Sequence, residues 1–223
     1  MKKKLDWIGV GQFVAFLMSV FVIIRDTFKE VKVGIEIIQW LAEDGREFFV
    51  ETLTQLGDKF IKTQRVKVLS DTVIMVNLDV APKLPFDGAE IEKNEGCGWV
   101  KIEKREDGLY VDDRKVVLYL SERQKGGQTI KGYELRDEFT GKLVLHPNIL
   151  DALMEHFHLI PEDWKKDENG NTRYIFFWAV IFRNSDGDLF VRCLNWDGSR
   201  WFWNYRWLDI DFNSDNPAAV CAS

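Results

Sequence analysis

From Tyr174 to Arg183 the chain reads YIFFWAVIFR, with no charged side chain before the closing arginine. A run this apolar, rich in aromatic and β-branched residues, suits neither an amphipathic helix nor a half-solvated strand. It fits a central strand covered on both faces. A chain that carries such a strand must supply sheet partners on either side of it and layers above and below it.

The segments around this run read as those partners. RVKVLS and TVIMVNLDV follow a period of two from Arg65, and the Pro-rich connection APKLPFDGAE comes after them. WVKIEK, GLYV and VVLYL continue as short strands, with turn chemistry at Glu106-Asp107-Gly108 and Asp112-Asp113. A short helix is expected around Tyr133 to Phe139. A second starts at His146-Pro147-Asn148, where proline suits the first turn, and runs through ILDALMEHFHLI up to Pro161. Its phase presents Leu150, Leu153 and Phe157 to the core. After the strand at 174, NSDGD reads as a turn, DLFVRCLNW as the return strand and Asp197-Gly198 as a second tight turn. PAAVCA, at the end, reads as a short closing edge strand. The expected fold is α+β: one domain over 63–223 with a mixed or antiparallel sheet, behind an N-terminal helical segment over 1–62.

That N-terminal segment opens with three lysines and then an uncharged hydrophobic stretch, 7–24, WIGVGQFVAFLMSVFVII. Two readings stand side by side. One is an uncleaved membrane anchor with its lysines inside and the main domain outside. The other is a hydrophobic helix buried against the body or a partner in a cytoplasmic protein. From Arg25 to about Lys62, Val33, Ile37, Ile38 and Leu41 form one apolar stripe and Phe48, Phe49, Leu53 and Leu56 a second. Lipid does not require such stripes, so they point to a protein surface and to oligomerisation through 1–62. Cys97, Cys193 and Cys221 are too few and too scattered for a disulfide framework.

Functional signals concentrate at the other end. Four of the nine tryptophans fall between Trp196 and Trp207, interleaved with Asn, Asp, Ser, Arg and Tyr. Large rigid aromatics beside short hydrogen-bonding groups are the composition of an interface. If RWFWNYRW is extended, Trp201, Trp203, Tyr205 and Trp207 share one face and Arg200, Phe202, Asn204 and Arg206 the other. The partner is then a protein or a surface ligand. Stacking of single-stranded nucleic acid on the tryptophan row is an alternative. A net charge of −6 argues against it, and Asp197, Asp209, Asp211 and Asp215 offset Arg192, Arg200 and Arg206. A purely structural, self-associating protein is another alternative.

Catalytic patterns are sparse. No nucleophile elbow, phosphate loop, HExxH or paired CxxC is present. The enzymatic alternative is a cleft joining Cys193 to a histidine. His156 and His158 would lie about 200° apart on a helix, so they do not form a joint metal face. Asp209, Asp211, Asn213 and Asp215 alternate as calcium ligands do, but Val220 stands where a calcium loop would place its glutamate.

From about residue 65 onward, the phrases GWVKIEK, DGLYVDDRKVVLYLSERQ, TIKGYELRDE, LVLHPNILDALMEH, LIPEDWK, YIFFWAVIFRNSDGDLFVRCL and NPAAV resemble uncharacterised proteins of candidate-phyla bacteria. No activity follows from that likeness. The last third is similar in layout to the variable ligand-binding proteins of diversity-generating retroelements, whose fold is C-type-lectin-like of the formylglycine-generating type. Two helices, then strands, then an aromatic and Asn-rich stretch closed by a short apolar strand carry the parallel. The Gly-Gly-Ser-Trp phrase common in such domains is absent here. The likeness implies a recognition surface within 195–216 made of Asn195, Trp196, Asp197, Ser199, Arg200, Phe202, Asn204, Arg206, Asp209, Asp211 and Asn213, on a framework that includes Leu194, Trp201, Trp203, Trp207 and Leu208. Such folds sometimes hold calcium near this surface, which implicates Asp209, Asp211, Asn213 and Asp215. No other cofactor is implied.

Overall fold

The computed structural model describes residues 64–222, and Glu51 before them. The hydrophobic stretch 7–24 and the rest of the expected helical segment lie outside the described residues. In chain order the strands are β1 (Val66–Ser70), β2 (Val73–Asn77), β3 (Glu90–Asn94), β4 (Trp99–Arg105), β5 (Gly108–Val111), β6 (Arg114–Tyr119), β7 (Ile130–Lys131), β8 (Tyr174–Arg183), β9 (Leu189–Trp196), β10 (Trp201–Trp207), β11 (Asp211–Phe212) and β12 (Ala218–Cys221). The helices are α1 (Gly132–Glu138) and α2 (Pro147–Glu155).

Ten strands form one mixed sheet in the order β1-β2-β4-β5-β6-β12-β8-β9-β10, with β3 added against β8. β7 and β11 form a separate two-stranded piece. The apolar run is β8, and everything from Ile175 to Phe182 is buried. Antiparallel neighbours meet through tight turns. Between β5 and β6, Asp112 and Asp113 both take positive φ, 47° and 64°, the left-handed geometry a two-residue hairpin needs. The domain is thus a single α+β unit built on a mixed sheet, as its patterning implies.

β12 differs from the expected closing edge strand. It is central, antiparallel to β6 and parallel to β8. Phe176 N–H reaches Pro217 O at 2.9 Å, and the extended segment 143–145 occupies the rest of that side of β12, with Leu145 N–H on Ala219 O at 3.0 Å. Two successive alanines, Ala218 and Ala219, leave room for side chains crowding in from both faces. β3, β7 and β11 carry no clear alternation and were not anticipated.

The sheet has a core on each face. One gathers Ile74, Ile102 and Leu109 from the first half of the sheet with Ile149, Leu150 and Leu153 of α2 and Ile175, Phe177 and Leu194. The other packs Leu135 and Phe139 with Phe176, Trp178, Val191, Cys193 and Phe212. Gly132, at the start of α1, permits the second packing: a Cβ there would sit 2.7 Å from Leu208 Cα and from Phe212 Cε2.

Polar ties hold α2 in the first core. His146 is its N-cap: Nδ1 accepts from Asn148 N–H at 3.0 Å and Nε2 faces Asn94 Oδ1 at 3.0 Å. With Nδ1 accepting, the proton lies on Nε2, and burial pushes the imidazole down to about 4. Asn148 Nδ2 donates to Asn77 O and Val80 O at 2.9 and 2.7 Å. One turn on, Asp151 takes Arg192 of β9 in a two-pronged ion pair, 2.7 and 3.2 Å, with both side chains buried. Arg192 also lies 4.5 Å from the Trp203 ring centre. It is a strut between sheet and helix, enclosed in protein, and offers no charge to a nucleic acid.

Candidate functional site

The β9–β10 hairpin places the C-terminal candidates. Its register pairs Trp201 with Trp196, Trp203 with Leu194, Tyr205 with Arg192 and Trp207 with Phe190. The segment is extended, so its residues alternate between faces as the sequence implies. Half of the aromatic face is scaffold. Trp201 is buried against Trp196, ring centres 5.4 Å apart, and Tyr205 packs on Phe86 and Phe190. Trp203 and Trp207 are the exposed members, at 39% and 50%.

The turn is organised by Asp197. Its Oδ1 accepts from Ser199 N–H (2.8 Å), Arg200 N–H (2.8 Å) and Ser199 Oγ–H (3.0 Å). The Arg200 and Ser199 amides hold this carboxyl below the usual carboxylate range. Its Oδ1 serves the turn, so this carboxylate shapes the surface through that oxygen.

Beyond the turn the candidates divide into three groups. Trp196, Ser199 and Arg200 line a hollow of about 400 Å³, facing Met154, Phe157, Glu162 and Lys165 from the far end of α2 and the turns after it. Lys165 Nζ stands 4.1 Å over the Trp196 ring and pairs with Glu162 at 2.7 Å. Phe157, expected in the core, is 66% exposed at this hollow. The reason is local: α2 ends at Glu155 and the chain tightens into a 3₁₀ turn over Phe157–Leu159, which takes Phe157 out of the helical phase. Arg200 forms no ion pair or side-chain hydrogen bond among the described residues, and its guanidinium stacks 4.2 Å from the Phe202 ring centre.

The second group, Asn195, Phe202, Asn204 and Arg206, lies on the face of the hairpin opposite to Trp196 and Trp201, and Arg200 at the tip reaches over Phe202 of that group. Arg206 reaches Asn216 Oδ1 at 3.3 Å and sits 5.1 Å from the Tyr174 ring centre. Asn204 Oδ1 accepts Tyr205 N–H at 2.7 Å, which satisfies one donor on the free edge of β10.

Asp209, Asp211 and Asn213 form the third group, on the connection from β10 to β12. Asp211 pairs with Lys131 at 3.0 Å, and Asn213 Oδ1 accepts Asp215 N–H at 3.0 Å. The buried Gln124 Nε2 ties the same connection down through Asn213 O and Asn216 O. Among the described residues, no group of three His, Cys, Asp or Glu side chains is arranged to hold a metal ion.

Cys193 lies fully inside the second core, where burial pushes its thiol up to about 12. The charges it feels are those of Arg206 and Arg192. Two of the three histidines are hydrogen-bonded away from Cys193, His146 at the α2 cap and His158 through Nε2 to Asp71 O at 2.9 Å. Sequence reasoning found the hairpin half of the hollow. It missed Met154, His158, Glu162 and Lys165, whose signal was position on either side of Pro161, the point where the helix has to turn.

Compared with known protein families, curated proteins and solved structures, the chain gives no match.

Proposed function

We propose that this domain is a recognition module, binding a protein or other surface ligand through the tip of the β9–β10 hairpin and the hollow beside it. The observation that carries the reading is the meeting of Trp196, Ser199 and Arg200 with an exposed Phe157 around about 400 Å³ of open space. A hollow of that size with aromatic walls and a few polar groups suits a ligand side chain or small epitope. Arg200 adds a guanidinium whose hydrogen-bonding capacity is unspent, of the type enriched at binding hot spots. Beneath it, Trp201, Leu194 and the Arg192–Asp151 strut form a rigid base, so contact residues can change without disturbing the core.

A C-type-lectin-like arrangement with a diversified surface extends this proposal. It is supported by the order of elements: α1 and α2, the β8–β10 meander, the aromatic stretch, then the short apolar β12. The test is a display library randomised at Asn195, Ser199, Arg200, Phe202, Asn204 and Arg206, selected against an unrelated test protein. Most members should melt within a few degrees of the parent, and selected binders should lose binding when these positions are returned to alanine. A library that largely unfolds, or binders indifferent to the alanines, would remove the proposal. Closely related genes of one genome should then differ mainly within 195–216.

A further inference from the structure

A second hollow, of about 370 Å³, shares no lining residue with the first. We infer that it is a binding site for a small amphiphilic anion: a compact apolar chain ending in a carboxylate, held by Arg114. The walls are apolar, formed by Leu78, Val100, Val111, Leu145 and Ile149, and Leu143 stands 52% exposed at the mouth.

His146 belongs to the same wall but adds no polarity to it. Both ring nitrogens are committed, to Asn148 N–H and to Asn94 Oδ1, so the ring offers only carbon. Cys221, also in the wall, has its thiol pushed up by burial and is a neutral, soft surface.

The charges at the rim differ in one respect. Glu95 is paired with Lys93 at 2.8 Å, and Asp112 Oδ1 already accepts Lys101 N–H at 2.8 Å. Arg114 forms no hydrogen bond or ion pair among the described residues, yet it lines the hollow. An apolar hollow with one uncommitted guanidinium selects an apolar body and a group that accepts two parallel N–H bonds, which a carboxylate does and an amine does not.

Octanoate is the direct probe, with 1-octanol and octylamine as equally long controls, titrated into the full-length protein by calorimetry. Octanoate should bind saturably, about tenfold or more tighter than octanol, a ratio of the size one charge-assisted contact supplies, and octylamine should be weakest. Arg114→Gln should erase the preference for octanoate over octanol, and Val100→Phe should fill the hollow and weaken both. Absence of saturable octanoate binding, octylamine binding as well as octanoate, or a preference that survives Arg114→Gln would each overturn the assignment. Should Val100→Phe fail to fold, Arg114→Gln decides alone, because that side chain is exposed.

Discussion

His146 is a neutral imidazole performing the work usually given to a serine or aspartate at a helix N-cap. Its two hydrogen bonds need one bare nitrogen and one protonated nitrogen, so a second proton removes the acceptor that caps α2. An ordinary unfolded imidazole titrates near 6.5, and the folded one near 4. The unfolded chain therefore binds more protons between those values. The stability His146 contributes is complete above about pH 6.5 and is lost as the pH falls towards 4, to a total of about 3 kcal/mol. Urea denaturation at pH 7 and pH 4.5 should register this fall. His146→Asn, which keeps a capping acceptor without a titrating ring, should flatten that part of the profile. An unchanged slope in the variant would show that carboxylates alone account for the acid response.

Between elements, the bond that matters most for the site is the Arg192–Asp151 pair joining β9 to α2. It fixes the helix whose far end supplies Met154 to the hollow against the strand that supplies Trp196. Arg192→Met should cost about 3–5 kcal/mol, since it strands a buried carboxylate. Adding Asp151→Leu should recover much of that loss, because the desolvation penalty disappears with the second charge. Denaturant midpoints of the two single variants and the double variant test this, and a strictly additive cycle would contradict the coupling. The same scale explains the misplaced edge strand. PAAVCA is short and apolar, features that an edge strand and a narrow central strand share. Only the partners on both sides, β6 and β8, distinguish the two.

At the scale of the whole domain, one sheet separates two cores, and β8, β9 and β12 contribute to both. Because the shared strands belong to each core, the two are expected to unfold together. Leu150→Ala on one side and Phe212→Ala on the other should each cost about 2–5 kcal/mol. In both variants tryptophan fluorescence and far-UV circular dichroism should report one coincident transition for the domain. Separate transitions would mean that the two faces fold independently.

Hydrophobic period by itself determined a good deal of this. The apolar run 174–182, closed by Arg183, fitted only a covered strand. The alternation of 201–207 determined which side chains share a face, and the turn residues placed both hairpins at the C-terminal end. These are local properties, set by backbone geometry and by which neighbouring residues share a side of a strand. What tertiary structure alone decided is which distant segments meet: Phe157 and Lys165 beside Trp196, Arg192 inside the protein on Asp151, β12 in the middle of the sheet, and Arg114 at the mouth of an apolar hollow. A residue's type fixes its chemistry, but whether that chemistry is spent on the fold or left for a ligand depends on partners far away in the chain. Arg192 and Arg200, eight positions apart, differ in this way: the first is buried and paired with Asp151, and the second makes no ion pair or side-chain hydrogen bond among the described residues.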